Sequence, residues 1–103
     1  ADSAAVDALV GQAEAALGSA RLQVAQLHTG LATKGVTIKG ATEDVAFAQR
    51  DVARQQQLLK EGFTTRTRFD EASHTLSQAR EALAKATAET ANAAAALGSA
   101  RRG

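Results

Sequence analysis

Apolar residues fall on every seventh position through the first half of the chain: Val10, Leu17, Val24, Leu31, Ile38, Val45, Val52 and Leu59. With these taken as a positions, the d positions are Ala13, Ala20, Leu27, Lys34, Ala41, Ala48 and Gln55, mostly small, with two polar exceptions. A strict seven-residue period marks a left-handed coiled-coil seam, because an ideal straight helix would drift off it by about 20° per heptad. Small d residues let two helices approach closely, although each layer then buries less apolar area. The pattern predicts one helix from about residue 4 to about residue 61, roughly 85 Å long at 1.5 Å per residue.

Gly30, Gly35 and Gly40 are the weak points of that helix. Each costs about 1 kcal/mol against Ala in a helix interior. They fall at g, e and c, off the seam, and the heptad runs through them in phase with Leu31 and Ile38. A loop has no reason to keep that phase, so a continuous helix is expected. The competing arrangement breaks the helix near residues 33–41 and gives a three-helix bundle.

The pattern stops once. Glu61-Gly62-Phe63 reads as a helix end, with Gly62 at C′, where a left-handed backbone costs Gly nothing. Phe63 would then be C″ and Leu58 C3, a pair that commonly packs to close such a cap. Thr64 or Thr65 can cap the next helix, without a capping box, because Arg68 stands where Glu or Gln would be needed. Beyond this turn, at about residues 62–65, a second helix is expected from about 65 to about 99. Its seam rows are Phe69, Leu76, Leu83, Thr90, Leu97 and Ala72, Ala79, Ala86, Ala93, Ala100. On its outer face, oppositely charged residues four apart, such as Glu81 and Lys85, are expected to pair.

Folding the chain at about residue 64 sets Val52 opposite Leu76, Val45 opposite Leu83, Ile38 opposite Thr90 and Leu31 opposite Leu97. The numbers of every pair add to 128, so one register serves all of them. That consistency predicts an all-α fold, a long antiparallel two-helix coiled-coil hairpin, as the single domain over residues 1–103. Val6, Val10, Leu17 and Val24 have no intrachain partner in this register. The chain is therefore expected to be a piece of a larger protein whose second helix continues. On its own it is expected to self-associate through that stripe, most simply as a two-fold antiparallel contact.

Composition agrees with long helices and little globular core. There is no Pro, Cys, Trp, Tyr or Met, and there are three Phe. Without Cys, disulfides and Cys-ligated metals are excluded. A net charge of +1 supplies no global field toward nucleic acid or anionic membrane. No apolar run approaches the length of a membrane span, and neither a transmembrane helix nor a signal peptide is expected in this stretch.

Chemistry-bearing residues do not converge. His28 and His74 lie far apart in the hairpin and are expected to be exposed. No Ser, His and acid come together, and the glycine spacing fits neither phosphate-loop pattern. Neither enzymatic activity nor a cofactor or metal is expected. The turn is basic: between residues 50 and 68, Arg50, Arg54, Lys60, Arg66 and Arg68 stand against Asp51 and Glu61, five cations to two anions, a balance of +3. No aromatics are interleaved for base stacking, so an acidic protein surface is a better match than nucleic acid. A solvated helix end is the bland alternative.

Arg54, Leu58 and Thr65 resemble the tip motif of periplasmic adaptor proteins (membrane fusion proteins). These work in tripartite efflux pumps and type I secretion systems. In that family the hairpin carries Arg, then Leu four residues on, then Ser seven residues further, around its turn. Here Thr65 replaces the Ser, keeping the hydroxyl and adding a methyl. The text at Asp44-Val-Ala-Phe-Ala-Gln-Arg-Asp51, Leu58-Leu-Lys-Glu-Gly62 and Arg68-Phe-Asp-Glu-Ala72 is also similar, most of all to the branch serving multidrug exporters of the major facilitator type. The resemblance implies a periplasmic hairpin whose parent is attached to the inner membrane of a Gram-negative bacterium. Its tip would dock a TolC-type outer-membrane channel, and other parts of the parent would bind the inner-membrane transporter. Arg54, Leu58 and Thr65 would make the tip contact, and Gly62, Phe63 and Thr64 would shape the turn. Each contact residue also has a local alternative: Leu58 closing the cap, Thr65 capping the second helix, Arg54 pairing with Asp51. A structural coiled-coil spacer or oligomerisation element without a docking role is the second reading.

Overall fold

A computed structural model describes residues 2–102. It contains two helices, α1 over Asp2–Glu61 and α2 over Arg66–Arg102, joined by a four-residue turn. The molecule measures 91 × 16 × 15 Å. A straight 60-residue helix spans about 90 Å, so α1 alone sets the long dimension. It passes unbroken through Gly30, Gly35 and Gly40, which rules out the three-helix arrangement. α2 begins one residue later than expected, because Thr65 serves as its cap, and it extends three residues further than expected.

Burial follows the heptads. On α1 the covered positions include every a residue from Val24 to Leu59 and every d residue from Leu27 to Gln55. On α2 both seam rows are covered from Phe69 to Ala100. The buried residues among those described are Ala48, Ala72, Ala86 and Leu97. Three of these four are Ala, the signature of a narrow seam. The larger a residues of α1, from Val24 to Leu59, stay half-buried because a two-stranded seam is open to water along both flanks. The accessible surface is 7530 Å², against roughly 5,500 Å² for a compact monomer of this mass. The extended shape therefore forgoes much of the burial that a globule would make.

The polar exceptions in the seam each find a partner. Lys34 reaches across to Glu89, with Nζ 3.7 Å from Oε2. The Thr90 hydroxyl donates to the Ala86 carbonyl at 2.7 Å, which satisfies it within its own helix. Gln55 is taken up at the turn by the hydroxyl of Thr64.

Two expectations need correction here. Val24 is half-buried rather than unpartnered. The Lys34–Glu89 bridge joins residues whose numbers add to 123, a turn nearer the start of α1 than the 128 register, and α2 runs on to Arg102. Together these bring the end of α2 within reach of Val24. The bare stripe consists of Val6, Val10 and Leu17, which are 55%, 48% and 51% exposed. Glu81 and Lys85 form no ion pair; both are exposed. Such a pair in water gains about 0–1 kcal/mol at best, which solvation of two long side chains readily offsets.

Candidate partner-binding tip

The tip is built by two interlocking caps. Gly62 has φ of 79°, the left-handed conformation predicted for C′. The Phe63 N–H donates to the Leu58 carbonyl at 2.8 Å and the Gly62 N–H to the Leu59 carbonyl at 3.2 Å. These are the two bonds of a Schellman motif, which satisfy carbonyls the end of α1 would otherwise leave orphaned. Across the turn, the Thr65 hydroxyl accepts the Arg68 N–H at 3.2 Å, an N-cap bond to the third residue of α2. The Thr65 carbonyl takes the Phe69 N–H at 3.1 Å, the first helical bond of α2.

The expected hydrophobic closure of the first cap is not made. Phe63 is 76% exposed, the most exposed of the large apolar side chains, so it does not fold over Leu58. The reason lies in the adjoining residue. Thr64 is turned inward, and its hydroxyl donates to Oε1 of Gln55 at 2.8 Å in a part-buried bond. The turn is therefore closed by a polar bond between Thr64 and α1, and Phe63 is left pointing outward. Sequence reasoning treated Gln55 only as a break in the d row. The signal that could have found its role is position: it is the last d residue before the turn, and a hydroxyl residue stands in that turn.

Arg54 and Leu58 sit one helical turn apart near the end of α1, a spacing that puts their Cβ atoms roughly 6 Å apart on one face. Leu58 is half-buried beside the seam. Arg54 uses one guanidinium nitrogen on Asp51, with Nη1 3.2 Å from Oδ1. Its side chain remains 58% exposed, so most of its donors face water. Thr65 is exposed; its oxygen accepts the capping bond while its O–H proton is left to donate elsewhere. The three predicted contact residues thus surround one turn, two on the last turns of α1 and one at the cap of α2.

The other charges at the tip divide into two groups. Arg66 pairs with Asp70, Nε to Oδ1 3.3 Å, and lies 5.5 Å over the Phe69 ring, an attraction between a cation and the negative face of the ring. Arg50, Lys60 and Arg68 make no ion pair among the described residues and are exposed. Below the turn an open polar groove runs between the helices, lined by Asp51, Gln55, Arg68, Glu71, Ala72 and Thr75. His28 and His74 are both exposed. Among the described residues no three metal-ligating side chains group together, and no helix is long and apolar enough to cross a membrane.

Comparison of the chain with protein-family models, with curated proteins and with solved structures found no match.

Proposed function

We propose that this hairpin is the docking element of a periplasmic adaptor that links an inner-membrane transporter to a TolC-type outer-membrane channel for drug efflux or secretion. The observation that carries the proposal is the pre-formed tip. The Schellman motif, the Thr65 cap and the Thr64–Gln55 bond hold the turn in one shape without any help from a hydrophobic core. That shape presents Arg54, Leu58 and Thr65, the three residues that resemble the adaptor tip motif. A contact surface fixed before binding loses little conformational freedom on docking, which favours affinity from a small patch. Exposed Phe63 and the uncompensated Arg50, Lys60 and Arg68 add an apolar anchor and positive charge suited to an acidic partner rim.

One observation favours the second reading, a spacer with no docking role. Arg54 has a local partner in Asp51, and Thr65 has a local task as a cap. Both readings predict a folded hairpin, so the test must read transport. In cells whose export depends on the protein, Arg54→Ala is expected to abolish export while expression and helicity stay unchanged. The exposed Arg54–Asp51 pair contributes about 0–1 kcal/mol, too little to unfold α1. Normal export with Arg54→Ala would overturn the docking role and leave the spacer.

A further inference from the structure

Three glycines in the middle of α1 have no static reason to be there. Gly30, Gly35 and Gly40 have ordinary helical backbone, since among the described residues Gly62 alone has a positive φ. A Cβ at any of them would meet no atom within 4 Å, so no close neighbour calls for glycine either. What glycine does supply is backbone freedom, which weakens the helix locally by about fivefold per residue against Ala. Between Val24 and Leu59, where α1 runs along α2, these three are the only glycines.

Other softening features fall at the same height. The hydroxyls of Thr33, Thr37 and Thr42 donate to the carbonyls of Thr29, Thr33 and Ile38, each four residues back. Such bonds draw on carbonyls of the helical ladder and favour bending. The Lys34–Glu89 bridge marks the part of α2 that lies alongside. There Thr87 and Thr90 bond back to Leu83 and Ala86 in the same way. Five of the six such threonine bonds among the described residues are at this level; the sixth, Thr75 to Glu71, lies nearer the turn. The seam is softer here too. Lys34 and Thr90 are its polar residues away from the turn. The bridge between Lys34 and Glu89 is wet, with side chains 40% and 49% exposed, so it gives up little when it stretches.

We propose that the hairpin bends at this level. Residues 30–42 of α1 and 83–93 of α2 form a hinge, and the tip half beyond it, residues 43–80, swings as one body. Ala86 is buried at the hinge, so the helices stay in contact there as a pivot. Gly35 lies about 40 Å from the turn, and a bend of about 20° at that distance carries the tip about 14 Å sideways. The tip keeps its shape during the swing, because its two caps and the Thr64–Gln55 bond all lie outside the hinge. For the docking role proposed above, this separates aiming the tip from shaping it. The bending itself does not rest on that role, and it is tested without reference to export.

Residual dipolar couplings of the 103-residue chain in a weakly aligned solution read the swing directly. The couplings of residues 43–80 and those of residues 24–29 with 94–100 are expected to give different alignment magnitudes, because motion at the hinge averages one half against the other. Replacing Gly30, Gly35 and Gly40 together by Ala should bring the two halves to one magnitude, and Lys34→Leu should narrow the gap. Fraying of the open end would mimic the gap, but substitutions at the hinge would leave it in place. Amide exchange gives a second reading. Residues 30–42 should exchange about tenfold or more faster than residues 45–57, and the triple Ala variant should remove that difference. A single alignment magnitude for both halves of the unaltered chain, a gap that survives the triple substitution, or exchange that is even along α1 would each overturn the hinge.

Discussion

Replacing Gly30, Gly35 and Gly40 together by Ala should make the hairpin markedly more stable. Each glycine lies in the interior of α1, where Gly costs about 1 kcal/mol relative to Ala through backbone entropy lost on folding. A methyl built at any of the three meets no atom within 4 Å, so no steric term offsets the gain. The three sites are at most ten residues apart on one helix and share no partner, so their effects should add, to about 3 kcal/mol. For a chain of this size, that corresponds to a rise in Tm of roughly 10–20 °C. The assay is a thermal melt followed by helical circular dichroism, with amide exchange at residues 28–42 to show where the protection is gained. An unchanged or lowered Tm would refute the reasoning. It would mean that at least one glycine adopts a backbone that Ala cannot, as in a break near residues 33–41, and that α1 is not continuous.

Three other substitutions probe the devices that set the hairpin's shape. Gly62→Ala forces a side chain into the left-handed region at φ 79° and should lower stability by about 1–2 kcal/mol, read as a fall in Tm. Thr65→Ala removes the α2 cap and should cost about 1 kcal/mol, while Thr65→Ser should be close to neutral in the same denaturant titration. Lys34→Leu should raise the midpoint of unfolding. The Lys34–Glu89 bridge is about half exposed and worth little, whereas Leu at that d position adds apolar burial.

The architecture was legible in the sequence because a coiled coil writes its contacts in a single period. Eight a residues in phase leave little freedom for anything but a long helix, and one Gly-Phe-Thr-Thr interruption leaves one place to turn. The cap was legible for a related reason: Gly62 and Thr65 are read from local backbone requirements, and the observed bonds are those that the requirements name. What the period does not encode is how far one helix slides along the other. Pairing by number assumed that side chains project straight across, while the long Lys34 and Glu89 meet five residues off that line. For this reason Val24 was expected to be bare and is not.

The candidate site was legible as a list of residues but not as an arrangement, and the reason is physical. In a chain with three Phe, hydrophobicity was the obvious means of closing the turn, so Phe63 was expected to lie on Leu58. Closure instead falls to the Thr64–Gln55 bond. A part-buried hydroxyl–amide bond is directional, with geometry fixed to within a few tenths of an ångström, whereas an apolar contact between two flexible side chains is not. Using it at the turn keeps the backbone in one shape and releases the largest apolar side chain of the tip to the outside. Release of that kind has no benefit for the isolated hairpin, because Phe63 gains nothing from water. It becomes favourable only if something else covers the ring. Thr64→Val is therefore the substitution that best separates the two readings of the tip. It removes the donor to Gln55 while keeping side-chain volume, so the turn loosens and Phe63 is free to fall onto Leu58. If the hairpin is only a spacer, the change should cost about 1 kcal/mol of stability and nothing else. If the tip docks a partner, export should fall as well, even though Arg54, Leu58 and Thr65 are all retained. Unchanged export with Thr64→Val would count against docking through a fixed turn and favour the spacer.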